Sequence, residues 1–164
     1  MPSHHYTYFA HAAPGRNLHE LQVGVLAARL LDTLVPGLFV QSRYAYGFTE
    51  KVLDISHNRS SMDLEVGYFL TPKLRLLGLS TAQLTHGGVD ATLSSRVDLG
   101  PLLFSHHDQI ERVNYLNLGG GVAYTLTEKI DVFGSLIHTV AQRNGHAIDR
   151  GLSLGLSWSF RQVE

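Results

Sequence analysis

The chain has 164 residues, a net charge of -1 and 16% charged residues, against roughly 25% in an average soluble protein. That balance supplies no global field for nucleic acid or an anionic lipid surface, and the length suits one domain, 1–164, with a sizeable core. Cysteine is absent, which excludes disulfides, thiolate metal sites and cysteine nucleophiles, and no run of about 18 uncharged apolar residues is present to form a transmembrane helix.

In chain order, the N-terminal stretch to Asn17 has no basic, apolar and small-residue succession of an export signal. An envelope protein needs one, so the expectation is a signal already removed or a chain that belongs to a longer protein. A first, irregular strand is expected over roughly 4–12, followed by a polar loop from Ala12 to Asn17. From Leu21 to Leu31 (LQVGVLAARLL) both faces are apolar, and the segment at 19–31 fits a strand or a short helix. After a turn at Val35-Pro36-Gly37, where Pro presets φ and Gly relieves it, a strand at 38–48 alternates Leu38, Val40, Tyr44, Tyr46 and Phe48 with Gln41, Arg43, Ala45 and Gly47. A loop from Glu50 to Arg59 leads to a strand at 61–70, in which Met62, Leu64, Val66, Tyr68 and Leu70 alternate with Ser61, Asp63, Glu65, Gly67 and Phe69. The turn Thr71-Pro72-Lys73 precedes a less regular strand at 74–84.

A long loop, Thr85 to Arg112, follows. Then a strand at 113–126 sets Leu116, Leu118, Val122, Tyr124 and Leu126 against Tyr115, Asn117, Gly119, Gly121, Ala123 and Thr125. The turn Thr127-Glu128-Lys129, a strand at 130–141 and a loop from Gln142 to Arg150 lead to the clearest pattern in the chain. In the strand at 151–160, Leu152, Leu154, Leu156, Trp158 and Phe160 alternate without a break with Gly and Ser, which is the period of a β-strand with two unlike faces. Short turns on one side and longer loops on the other, joined by strands long enough to cross a tilted membrane path, predict an all-β, antiparallel up-and-down transmembrane β-barrel of about eight strands. Rings at both ends of the apolar parity fit two interfacial girdles: Tyr44, Tyr46 and Phe48 at one end, Tyr68, Tyr124, Trp158 and Phe160 at the other. On this reading these rings, with Leu152, Leu154 and Leu156, face lipid.

The segment from Phe104 to Phe160 includes Asp108, the run Tyr115 to Gly121, the Thr-Glu-Lys turn, Arg143-Asn144-Gly145-His146-Ala147 and a final strand ending in Trp158-Ser159-Phe160. It resembles proteobacterial outer-membrane barrels of the transporter-like type associated with phenol-degradation pathways. The resemblance covers about the last 60 residues well. It implies an outer-membrane location, lipid and lipopolysaccharide as surroundings, and a C-terminal strand read by the barrel-assembly machinery. Barrels of that type carry a signal peptide and often more strands, which implies that this chain is the C-terminal part of a larger barrel. It departs from the pattern in carrying Arg161 to Glu164 beyond Phe160.

The polar parity places Gln41, Arg43, Asp63, Glu65, Arg75 and Asn117 in the lumen. A charge there has to be paired or hydrated, and Arg43 is expected to meet the Asp63/Glu65 pair on the neighbouring strand. These residues serve either interior stability or selectivity for a charged solute. The ten histidines, of which His11 and His19 flank the first loop and His86, His106, His107 and His146 are assigned to later loops, show no metal-ligand spacing, so no metal and no cofactor is expected. Ser135 and His138 fall on opposite strand faces and cannot meet directly, so no catalytic residue and no enzymatic activity is expected. The functional expectation is passive transport, a channel or a structural envelope role, with no nucleic-acid partner. The alternatives are a soluble lipocalin-like ligand-binding barrel with the apolar parity turned inward, and a barrel-embedded lipid hydrolase.

Overall fold

The computed structural model describes residues 18–90, 106–144 and 147–160. The fold is all-β. Seven strands, β1 (Glu20–Leu30), β2 (Leu38–Thr49), β3 (His57–Phe69), β4 (Leu74–Gly87), β5 (Asn114–Thr127), β6 (Ile130–Arg143) and β7 (Gly151–Trp158), form one antiparallel sheet in sequence order. A helical turn, α1 (His107–Ile110), lies between β4 and β5. The segment at 19–31 is a strand and not a helix. The strand expected at 4–12 and the loop at Ala12 to Asn17 lie outside the described residues. Among the described residues the sheet is not closed: β1 pairs only with β2, and β7 only with β6. With an odd number of strands, these two edges run in the same direction.

Several strands outrun their expected limits at the loop end. β3 begins at His57, inside the expected loop, because Asn58 and Arg59 pair with His86 and Thr85 of an equally extended β4. His86 is therefore a strand residue and not a loop residue. β6 likewise runs to Arg143, opposite Asn114. Backbone pairing needs no apolar side chain, so the ladders continue past the point where alternation fades. The connections at 31–37, 70–73 and 128–129 share one end of the sheet and those at 50–56, 88–113 and 144–150 the other.

Register carries the alternation from strand to strand. Gln41 stands opposite Glu65, Arg43 opposite Asp63, and Asp63 opposite Thr81; Thr81 stands opposite Asn117, and Asn117 opposite Thr139. One face thus collects Gln22, Gly24, Gln41, Arg43, Asp63, Glu65, Arg75, Asn117, Gly119, Gly121 and the Gly/Ser positions of β7. The other collects Val23, Val25, Tyr44, Met62, Val66, Leu76, Leu118, Val122, Leu136, Leu152, Leu154 and Leu156, all of them exposed. A bulge between Leu116 and Asn117 leaves Val140 unmatched and reverses the parity of β6 beyond it, which adds to the irregularity that Phe133 and Ile137 on the polar parity give its sequence.

Candidate functional site

Leu26 of β1 and Ile137 of β6 line a common cavity of about 230 Å³ with Gln41, Arg43, Asp63 and Glu65. The sheet therefore curls until distant strands look at each other across its polar face. In this concavity the Arg43 guanidinium donates a 3.0 Å hydrogen bond to Gln22 Oε1 and lies 3.6 Å from the Asp63 carboxylate. The expected neighbour pairing of Arg43 is thus met by Asp63, directly across the ladder. Asn117, nearly buried, accepts a hydrogen bond from the Thr139 hydroxyl at 2.7 Å.

Two ion pairs skip a strand. Arg59 of β3 reaches Glu20 of β1, with Arg59 Nε donating to Oε1 at 3.2 Å. The strand between them presents Gly47, where any Cβ would collide with the Glu20 carboxylate. Arg75 of β4 reaches Asp131 of β6 at 2.8 Å, and the Thr125 hydroxyl also donates to that carboxylate. Here the middle strand presents Ala123, only 5% exposed. Small residues on the polar face thus make room for long polar ones that lie over them.

Aromatic rings fill the turn end of the same face, a feature that alternation alone did not reveal. A Cβ on Gly67 would lie 1.9 Å from Phe39 Cζ, and one on Gly155 would lie 2.3 Å from Phe133 Cζ, so both rings lie directly over glycines. Phe39 packs on Phe69 with centroids 5.4 Å apart, and the Arg75 guanidinium sits 5.9 Å above the Phe69 ring, within cation–π reach. The sequence signal was present: Phe39 shares the parity of Gln41, opposite Gly67.

The loop end is tied down by polar contacts. Backbone bonds hold Val89 to Ile110 and Arg112, and Ile110 of α1 is fully buried. Arg143 grips the Asp90 carboxylate through Nε (3.1 Å) and Nη2 (3.0 Å), and Asn144 donates to Asp90 Oδ1 and to the Arg112 carbonyl. These hydrogen bonds, Arg143 first, hold the Asp90 carboxyl below its ordinary value.

On the apolar face near the loop end, register brings Tyr44, Tyr46, Ser60 and His86 together. Ser60 Oγ is 2.7 Å from His86 Nε2 and 3.0 Å from the Tyr44 hydroxyl, and the Tyr46 ring stacks on the imidazole at 5.5 Å. Tyr46 also meets Phe48 edge-on. At the turn end of this face lie Tyr68, Tyr124 and Trp158, with Phe160 just beyond β7 and 4.8 Å from Trp158. Ser135 and His138 fall on opposite faces of β6. Among the described residues no group of three potential ligands is placed to hold a metal ion. No protein family model matches this chain, and no curated protein or solved structure is significantly similar to it.

Proposed function

We propose that the chain is a membrane-spanning β-barrel of the bacterial outer membrane with a structural, loop-presenting role and little solute flow. The observation behind this is the apolar face. Large side chains on every strand of the sheet are exposed together there, up to 78% at Leu154, whereas soluble monomers rarely expose contiguous apolar patches above a few hundred Å². A lipocalin-like barrel would need those residues inside, yet the cavity lies on the opposite, polar face.

Closure requires one more strand running antiparallel to both β1 and β7, which would give the eight strands expected from the sequence. An eight-stranded barrel leaves an interior that side chains nearly fill, and the strand-skipping ion pairs and the Phe39 and Phe133 rings occupy it. Lipid and lipopolysaccharide surround such a barrel, and its last strand engages the assembly machinery.

Refolding into phosphatidylcholine vesicles, followed by planar-bilayer recording, tests this reading. The expected result is heat-modifiable gel mobility, resistance to extraction by carbonate, and no steady conductance. A stable porin-sized conductance would replace the structural role with transport, and a chain that stays monomeric in water without detergent would overturn the membrane assignment.

A further inference from the structure

We propose that Ser60 and His86 form a hydrolytic dyad on the outer face of the sheet that cleaves acyl esters of membrane lipid. The proposal rests on the membrane reading for its substrate, while its geometry stands independently. Serine hydrolysis needs a hydroxyl within hydrogen-bond reach of a base, and the base held in orientation by a third group. Ser60 Oγ lies 2.7 Å from His86 Nε2. The two residues are not sequence neighbours: β3 and β4 bring them together, with Ser60 opposite Leu84 and His86 opposite Asn58. The Tyr46 ring, stacked on the imidazole at 20° from parallel, restricts rotation of the base out of its plane. The Tyr44 hydroxyl lies 3.0 Å from the same Oγ, close enough to donate to the substrate carbonyl oxygen that becomes negative when Oγ attacks.

The location points to the substrate. The cluster opens to the outside of the sheet, between Phe48, Met62 and Leu84, all exposed. Aromatic residues mark the boundary between hydrocarbon and headgroups, and the ester carbonyls of acyl lipids lie at that depth. A polar pair on a lipid-facing surface thus sits where an ester would meet it.

The step balances without a further reagent. Ser60 Oγ attacks the ester carbonyl carbon while its proton passes to His86 Nε2. The ester C–O bond then breaks and the departing alcohol takes that proton. Water attacks the acyl-serine, giving one proton to His86, which returns it to Oγ as the fatty acid leaves.

The test uses the full chain refolded into phosphatidylethanolamine/phosphatidylglycerol vesicles. A fluorophosphonate probe should label one residue, Ser60, identified by mass spectrometry, and free fatty acid should be released from the vesicles. Ser60→Ala and His86→Ala should each lower release at least 100-fold while keeping heat-modifiable mobility. Tyr44→Phe should lower kcat about 10-fold or more with little change in KM, as for loss of one oxyanion donor. A folded, inserted chain that is neither labelled nor hydrolytic would overturn the dyad and leave the barrel standing. A chain that stays in solution would remove the lipid substrate, and labelling of Ser60 in water would still read the dyad itself; no labelling there overturns it as well.

Discussion

Leu154 offers the sharpest separation between a lipid-facing and a water-facing surface. It stands midway along β7, 78% exposed, packed over Gly134 of the neighbouring strand. If water surrounds that face, Leu154→Arg removes little burial and should change stability by no more than about 0.5 kcal/mol. If hydrocarbon surrounds it, an arginine near the bilayer midplane should destabilise the fold by about 2–4 kcal/mol, roughly a 30- to 700-fold shift in the unfolding equilibrium. Urea unfolding in phosphatidylcholine vesicles measures this. Trp158, the chain's one tryptophan, lies on the same face and strand and reports the transition by fluorescence. Leu152→Arg, one pleat closer to the loop end, should cost less than Leu154→Arg, since the penalty fades toward the interface. Changes below about 0.5 kcal/mol at both positions would refute the argument.

Other consequences follow from the polar face and the loops. Gly155→Ala should push the Phe133 ring aside and destabilise by about 1–3 kcal/mol; in a Phe133→Leu background the same change should be nearly neutral, read by chemical unfolding of the four variants. Arg75→Ala strands the partly buried Asp131 carboxylate and uncovers Phe69, and should weaken the fold by about 1–2 kcal/mol, between the ranges for exposed and buried pairs. The Asp90 carboxyl is held below its ordinary 3.8 by Arg143 and Asn144, so the unfolded form binds a proton more readily than the folded one. Its contribution to loop attachment is then full above about pH 4 and lost as pH falls through the lower folded value. Amide exchange at Arg112, corrected for intrinsic rate, should speed up in that acid range, and Asp90→Asn should abolish the dependence.

The sequence reading went furthest where one face is purely large and the other purely small, as in β7, because period two is then unambiguous. It was ambiguous in β1, where Leu26 and Leu30 lie on the polar parity. The structure accounts for Leu26: it lines the cavity against Ile137, so a two-sided apolar pattern reflects an interior contact and not a helix. The polar ends of β3 and β4 read as loop because His57-Asn58-Arg59 carries no alternation, and pairing there depends on the opposite strand. For the same reason Ser60 and His86 were not brought together, although both are visible in the sequence. Arg43 with Asp63 was legible, since adjacent strands of equal parity must face each other. Glu20 with Arg59 and Arg75 with Asp131 were not, because a contact across two strands depends on the register of both ladders at once.

Those two strand-skipping pairs have a mechanical consequence. Strands two apart in a flat sheet lie about 9.6 Å from each other, and a tie between their side chains on one face acts like the chord of an arc, shorter than the curve it subtends. Glycine or alanine beneath each chord removes the bulk that would prop the arc open. Both ties lie on the polar face and so hold the sheet bent toward that side.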